Sequence, residues 1–362
     1  MDFIEQRINK AKSILKSTHE GIFIVSATNR RYFSGFESSE GYILILCDKT
    51  FLFLDFRYFE AAKIKQNEGV IPKSVEIIER TRNFADTINQ ILADMCIQRL
   101  YFEENRMTVS NRLYFNKMLK GIKLCYSKGM LDTFRASKDA LEIETVKKAQ
   151  AITDKVFNQL IGILKPGMSE REVALEIDYR MRQNGASGSA FSTIAVIGKK
   201  TSLPHGVPDD TVIKKGFLTM DFGACFDGYK ADMTRTVCFG KPTNEMQKVY
   251  QTVLDAQNAA FEKICAGVTG SEVDLAARQL IYNAGYKGCF GHSTGHSVGL
   301  EIHENPNFSS GEKGKIPENA IISVEPGIYI EGKFGVRVED LVLVTTQGYQ
   351  NFTKSVKELV II

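Results

Sequence analysis

Histidine is scarce in this chain, and its distribution along the sequence is uneven. Five of the 362 residues are histidine, and three of the five lie between Gly291 and Glu304. Small residues separate these three, which allows neighbouring backbones to approach closely. Imidazole is a common metal ligand and the side chain best suited to carry protons near neutral pH. The segment therefore indicates a metal or catalytic site that contains His292, His296 and His303.

A pair of aspartates stands in apolar surroundings, where an ionised carboxylate is costly unless it is paired or bound to a cation. Asp221 ends the apolar run 217–220, and Asp232 follows the turn sequence 226–229. A hairpin that turns about residues 226 and 227 would place Asp221 opposite Asp232 on one face. Two like charges in that position repel each other unless a cation lies between them.

The C-terminal part of the sequence repeats this arrangement with glutamates. Glu325 ends the apolar run 321–324, and Glu339 lies within the segment 336–339. A hairpin centred on Gly332 would bring the two glutamates face to face. The two acidic pairs and a histidine would then form an oxygen-rich site with four negative charges, which two divalent cations would neutralise.

Residues 1–129 are predicted to form a small α/β domain without a chemical constellation of its own. Apolar, β-rich runs predict the strands and amphipathic runs the helices. The predicted strands are 22–25, 42–47, 51–55, 99–102 and 122–126, and the predicted helices are 82–95 and 109–119. Asp48 and Lys49 are predicted to join the second and third strands as a hairpin.

Residues 130–362 are predicted to form a second domain with an internal duplication. A long helix opens it near residues 137–139 and ends before 165–167. The segment 167–173 then recurs as 267–273, and each copy contains a Ser/Thr-x-x-Glu capping box, which is typical of a helix start. The same register holds over about twenty residues, a length at which chance capping boxes do not stay aligned. We therefore expect two related α+β halves, with a site where their sheets meet.

Several segments resemble the aminopeptidase P and prolidase branch of the pita-bread metallopeptidases. In the second domain they are 220–223, 231–236, 292–304, 324–329 and 335–340, and in the first domain 29–36 and 55–58 resemble the creatinase-type domain of that branch. The resemblance covers essentially the whole chain. It implies an α/β N-terminal domain followed by an α+β pita-bread catalytic domain with an internal pseudo-two-fold duplication.

The resemblance also implies which residues form the site. The implied metal ligands are Asp221, Asp232, His296, Glu325 and Glu339, with Asp232 and Glu339 bridging two divalent ions. The implied catalytic and substrate-handling residues are His205, His292, His303, Glu325, Tyr329 and Arg337. A carboxylate-dominated site suits Mn²⁺, with Co²⁺, Zn²⁺ and Fe²⁺ as alternatives.

The activity implied by the resemblance is hydrolysis of the Xaa-Pro bond at the N-terminus of peptides. Dipeptidases of the branch typically hold the free carboxylate of their substrate with an arginine, and residues 305–317 contain none. This favours an aminopeptidase over a strict Xaa-Pro dipeptidase. A creatinase-like C–N hydrolase, which needs no metal, is a further alternative, as is a non-enzymatic peptide-binding module, which the complete ligand set disfavours.

Composition bears on partners and compartment. A net charge of +3 without a dense basic stripe argues against nucleic-acid binding. The charged N-terminus and the lack of an apolar run of ~20 residues argue against a signal peptide and a membrane span. Seven scattered cysteines without a CxxC pair predict free thiols. We therefore expect a cytoplasmic protein, and the resemblance adds a homodimer.

Overall fold

The boundary between the two units of the chain lies a few residues after the predicted one. The computed structural model describes residues 3–362. The first unit ends at Phe134 and the second begins at Arg135, whereas the sequence predicted a second domain from residue 130. The Tyr32 hydroxyl donates a hydrogen bond to the carbonyl oxygen of Phe134 at 2.9 Å. This contact holds the end of the first unit against the helix of the same unit that contains Tyr32.

The first unit is built on a mixed sheet with the strand order β4-β3-β2-β1-β5-β6. Its elements in chain order are α1 (Phe3–Lys12), β1 (Glu20–Ile24), α2 (Ala27–Ser34), β2 (Tyr42–Leu46), β3 (Thr50–Leu54), α3 (Phe56–Asn67), β4 (Val75–Glu79), α4 (Phe84–Asp94), β5 (Arg99–Phe102), α5 (Val109–Met118), β6 (Lys123–Tyr126) and α6 (Met130–Thr133). Strands β2 and β3 pair antiparallel, so the predicted hairpin is confirmed. Helix α3 was not predicted from the sequence, because it buries Ala62 alone and therefore lacks an apolar stripe.

The second unit contains two helix pairs and several short sheets. Its helices are α7 (Ala140–Ile161), α8 (Glu170–Gln183), α9 (Asn244–Phe261) and α10 (Gly270–Ile281), with a 3₁₀ helix at Gly198–Ser202 and a π-helical turn at Tyr282–Tyr286. Its strands are β7 (Gly188–Ser189), β8 (Ile194–Ile197), β9 (Gly216–Phe222), β10 (Ala224–Phe226), β11 (Tyr229–Lys230), β12 (Met233–Phe239), β13 (Gly295–Ser297), β14 (Glu304–Phe308), β15 (Ile321–Val324), β16 (Gly327–Ile330), β17 (Phe334–Arg337), β18 (Asp340–Thr345) and β19 (Gly348–Asn351).

Four sheets organise these strands. Their strand orders are β12-β9-β8, β11-β10-β7, β14-β13-β15-β18-β19 and β16-β17. Each half of the unit has its own apolar core, one around α7 and α8 and the other around α9 and α10. Across residues 3–362, helices with both the length and the apolar character needed to span a bilayer are absent.

The predicted internal duplication is confirmed by equivalent hydrogen bonds in the two halves. Both predicted capping boxes form, with Ser169 at the start of α8 and Thr269 at the start of α10. The backbone N–H of Gly167 donates to Ile213 at 3.2 Å, and that of Gly267 donates to Ile316 at 2.9 Å. The same local structure therefore begins α8 and α10.

Candidate metal centre

The first acidic pair lies on the hairpin formed by β9 and β12, although its register differs from the predicted one. Asp221 pairs with Thr234, so the expectation that Asp221 faces Asp232 directly is wrong by two residues. The reason is the turn, which is the two-residue loop Asp227-Gly228 with φ angles of 44° and 73°, the geometry that an Asp-Gly pair favours. Because side chains alternate with a period of two, this shift leaves Asp232 on the predicted face.

The second acidic pair lies where one antiparallel ladder passes into another. Gly327 pairs with Arg337 on one side, and Val324 pairs with Asp340 on the other. The two ladders keep a common register centred on Gly332, which has a φ of 69°. That register places Glu325 opposite Glu339, as the sequence predicted.

The two acidic pairs converge with a histidine from β13. Ligand atoms of Asp232, His296 and Glu339 all lie within 4.8 Å of one another. The Nε2 atom of His296 is 3.5 Å from Oδ2 of Asp232 and 3.4 Å from Oε1 of Glu325. Strands that are far apart in the sequence thus bring these predicted ligands together.

The electrostatics of this cluster are those of a site that suits a cation. Burial and then the charges of the neighbouring acids raise the pKa of Asp232 and of Glu339 well above their ordinary values. Oδ1 of Asp221 and Oε1 of Glu339 are buried and receive no hydrogen bond. Buried carboxylate oxygens without donors are rare in folded proteins. Divalent cations would satisfy these oxygens and offset the repulsion, so the residues fit a metal site.

Arg337 links the acids to the residues around them. From its buried position in β17, it donates from Nη2 to Asp221 at 2.6 Å and from Nε to the Thr234 hydroxyl at 2.9 Å. That hydroxyl in turn donates to Glu339 at 2.7 Å. Nη1 of Arg337 also donates to the carbonyl oxygen of Pro204 at 3.2 Å, which holds the turn next to His205. The guanidinium therefore orients one acid directly and a second through a threonine.

A chain of hydrogen bonds runs from Arg337 to His292. Nη1 of Arg337 donates to the Tyr329 hydroxyl at 2.9 Å, and the distance from that hydroxyl to Nε2 of His292 is 2.8 Å. Burial raises the pKa of Tyr329 to about 12, so the phenol stays protonated. Its hydroxyl therefore donates a hydrogen bond to Nε2 of His292. Nδ1 of His292 lies 2.8 Å from the carbonyl oxygen of Ser293, which fixes the tautomer with hydrogen on Nδ1.

The two remaining histidines, His205 and His303, are more exposed than His292 and His296. The ring of His303 is exposed and packs edge-on against His296, with 4.4 Å between centroids and 67° between planes. Burial, and after it the nearby His296, lowers the pKa of His303. His205 is exposed and close enough to His292 and His303 to affect the charge of both.

Several residues that hold the segment of His292 and His296 in place were not predicted from the sequence. The Asp274 carboxylate accepts from the backbone N–H and the hydroxyl of Thr294 at 3.1 and 2.9 Å. Arg278, one helical turn after Asp274, donates to the carbonyl oxygen of His292 at 2.7 Å. Ser323 accepts a hydrogen bond from the backbone N–H of His296 at 3.1 Å. The pairing of Asp274 with Arg278 could have been found in the sequence, because Asp and Arg at positions i and i+4 lie on one helix face.

The two halves also show which position of the first half corresponds to His296. In the first half, Ile194 of β8 pairs with Asp221. In the second half, the N–H of Glu325 donates to Thr294 at 2.8 Å, so Thr294 occupies the place of Ile194. Two residues further along each strand, His296 corresponds to Val196, which is 1% exposed. The acids are duplicated, whereas the imidazole is confined to one half.

Comparison with known families agrees with this architecture. Residues 144–346 match metallopeptidase family M24. Residues 7–137 match the creatinase/prolidase N-terminal domain. The two matches together cover both units of the chain.

Individual relatives cover the chain almost completely. An Xaa-Pro dipeptidase of Pyrococcus furiosus is 36% identical over 98% of this chain and 100% of its own length. The structure of an Xaa-Pro dipeptidase from Bacillus anthracis superposes with a TM-score of 0.94, at 35% identity over 99% of this chain and 100% of that one. The structure of an X-Pro aminopeptidase from Thermotoga maritima MSB8 superposes with a TM-score of 0.90, at 34% identity over 98% and 100%.

Proposed function

Because the chain belongs to metallopeptidase family M24, we propose that it removes the N-terminal residue from peptides whose second residue is proline. The proline preference is supported by relatives that act on Xaa-Pro bonds. The observation that carries the hydrolytic activity is the buried cluster of acids around His296, in which two carboxylate oxygens lack a donor.

In this proposal, side chains from both halves of the second unit would hold two divalent ions. The residues that would hold them are Asp221, Asp232, His296, Glu325 and Glu339. Four carboxylates and one imidazole suit Mn²⁺ better than softer ions, with Co²⁺, Zn²⁺ and Fe²⁺ as alternatives. When bound, such ions activate water and polarise the substrate carbonyl as Lewis acids.

The protein side chains then handle the protons of the reaction. We assign to Glu325 the acceptance of the proton from the attacking water and its transfer to the proline nitrogen, which carries no hydrogen until the C–N bond breaks. A carboxylate that lies within hydrogen-bonding reach of both the water and the leaving nitrogen can serve as general base and then as general acid. We assign to His303 a hydrogen bond to the carbonyl oxygen as negative charge develops there.

The other predicted residues orient this machinery. Arg337 and Tyr329 hold Asp221 and His292 in place through the hydrogen bonds described above. His292 and His205 are proposed to contact the substrate. Creatinase-like chemistry, which requires no metal, would not account for the buried carboxylate oxygens of Asp221 and Glu339 that receive no hydrogen bond.

We propose an aminopeptidase that accepts longer peptides, because residues 305–317 contain no arginine to hold a free substrate carboxylate. A strict Xaa-Pro dipeptidase is the second candidate, and it is supported by the activity named for the Pyrococcus furiosus and Bacillus anthracis relatives. We further propose that the protein acts in the cytoplasm as a homodimer.

The test is turnover of three peptide types by protein that has been stripped of metal and reloaded with Mn²⁺, Co²⁺ or Zn²⁺. We expect no activity after chelation, recovery with Mn²⁺ or Co²⁺, and cleavage of Xaa-Pro-Yaa in preference to Met-Ala-Yaa. Faster turnover of Xaa-Pro than of Xaa-Pro-Yaa would establish the dipeptidase instead. Full activity in metal-free protein would refute the metal site, and equal turnover of Met-Ala-Yaa would refute the proline preference.

A further inference from the structure

A buried lysine at the start of α7 connects the backbone segments that carry two of the site histidines. The Nζ atom of Lys138 lies 3.2 Å from Oε2 of Glu304, which directly follows His303. The same atom lies 3.5 Å from Oγ of Ser297, which directly follows His296. The side chain of Lys138 is fully buried, so solvent does not screen these contacts. One ammonium group thus contacts the neighbour of each ring.

The carboxylate of Glu304 organises the turn that precedes β14. Its Oε1 accepts a hydrogen bond from the backbone N–H of Glu301 at 3.1 Å. It also fills the space in front of Gly299, where a Cβ would lie 2.7 Å from Oε2. Arg135 binds the Glu301 carboxylate at 2.8 Å and lies 3.8 Å from that of Glu304. The turn is therefore shaped around a buried negative charge.

The contact between the two rings depends on these backbone segments. His296 lies in β13 and His303 immediately before β14, and these strands pair with a bulge between His296 and Ser297. The rings touch edge to face at 4.4 Å between centroids, and a contact of this kind does not by itself fix the orientation of either ring. Ser297 and Glu304, which directly follow the two histidines, pair with each other across the bulge, and Lys138 contacts the side chains of both.

We propose that Lys138 is a positioning residue, which holds His303 at a fixed distance and angle from His296 by binding Glu304 and Ser297 together. The effect of this on the rate rests on the catalytic role proposed for His303. A displacement of about 1 Å of a reacting group costs on the order of 10² in rate. Arg135 assists by neutralising the same turn, and Lys138 contacts the residue that directly follows each histidine.

The test measures kinetics, thermal stability and the histidine rings of the full-length chain. In Lys138→Met, we expect kcat to fall about tenfold or more with KM little changed. In protein with ¹³C-labelled histidine and diamagnetic Zn²⁺, we expect the ring signals of His296 and His303 to shift, while that of His19 in the first unit does not. The matched control is Arg99→Met, which removes the guanidinium that lies 3.0 Å from the buried carboxylate of Glu20. This variant should have a lower Tm, while its kcat and the ring signals of His296 and His303 stay unchanged.

A double variant separates positioning from stability. Lys138→Met removes one of the two cationic groups beside the buried Glu304 carboxylate, which destabilises the fold, whereas Lys138→Met with Glu304→Gln also removes the negative charge. We expect the double variant to regain Tm but not kcat or the wild-type ring signals. Recovery of kcat together with Tm, or unshifted ring signals in both variants, would overturn the proposal. If the wild-type protein cleaves no Xaa-Pro peptide, the proposed function fails, and the ring signals still decide whether Lys138 positions the histidines.

Discussion

Two buried carboxylates, one in each unit, are held in opposite ways. Glu103 in the first unit is 4% exposed and accepts hydrogen bonds from two backbone N–H groups, a serine hydroxyl and an asparagine amide. Glu339 in the second unit is 1% exposed and accepts from the Thr234 hydroxyl, while its Oε1 has no donor. A carboxylate with a full set of donors supports the fold, whereas one that lacks donors and faces other acids is prepared for a cation.

The largest expected difference between the two acids is in catalysis. Glu339→Gln should lose or weaken metal binding and lower kcat by roughly 10³, because loss of several kcal/mol of metal-based stabilisation corresponds to about that factor. Glu103→Gln should keep both metals and its kcat, but lose about 2 kcal/mol of unfolding free energy as charged hydrogen bonds disappear. Metal analysis, kinetics and denaturant unfolding of both variants test this. Metal loss in Glu103→Gln, or wild-type activity in Glu339→Gln, would contradict the distinction.

Within the second unit, the two neighbouring histidines are expected to differ by a smaller amount. His303→Ala should retain the metals and lower kcat by roughly 10², as expected for loss of a donor that acts mainly in the transition state. His296→Ala should weaken or lose one metal and take the activity with it. Metal stoichiometry measured beside kcat distinguishes them. If His303→Ala lost a metal and His296→Ala did not, the two roles would be reversed.

The smallest expected effect is a dependence of stability on pH in the metal-free protein. Burial and the neighbouring acids raise the pKa of Glu339 above its ordinary 4.5. The folded protein then keeps a proton that the unfolded chain has lost, so this group destabilises the fold as pH rises above 4.5 towards the folded-state pKa. Glu339→Gln has no such ionisation. In the presence of chelator, the Tm of Glu339→Gln should be a few degrees higher than that of the wild type at pH 7.5. This difference in Tm should be smallest near pH 4.

The comparison with Glu103→Gln completes this measurement. The histidines with lowered pKa values are present in all of these proteins, so their effect cancels in the difference between variant and wild type. Glu103→Gln should have a lower Tm than the wild type, because an amide offers one acceptor oxygen where the Glu103 carboxyl group accepts four hydrogen bonds on two oxygens. A Tm difference for Glu339→Gln that stays constant with pH would mean that Glu339 is paired in the folded state.

The sequence predicted much of the fold because local signals were strong. The capping boxes at Ser169 and Thr269 and the strand runs of the first unit appear where they were expected. The register at Asp221 was wrong because the turn was centred one residue early, although Asp227-Gly228 itself was a strong signal. Asp232 nevertheless lies on the predicted face of the hairpin, because a shift of two residues is a full period of a strand.

That the acids and His296 lie close together could be predicted from the sequence, but the hydrogen bonds that hold them could not. Thr234 and Ser323 bind site residues across more than 25 positions of sequence, and nothing local to a threonine or a serine indicates such a partner. Lys138 was read as part of a helix start, where a lysine is usually solvated. Its burial follows from the packing of β13 and β14 around it, which periodicity along α7 does not reveal.

The correspondence between Val196 and His296 has a consequence for the evolution of the site. A duplicated ancestor with identical halves would have offered the same environment twice, and a peptide could have entered such a site in either of two directions with equal free energy. An isopropyl group at one of the two equivalent positions and an imidazole at the other remove this degeneracy. Together with the aspartates of the first half and the glutamates of the second, this divergent position gives the frame of four acids a direction, which the proposed cleavage from one end of a chain requires.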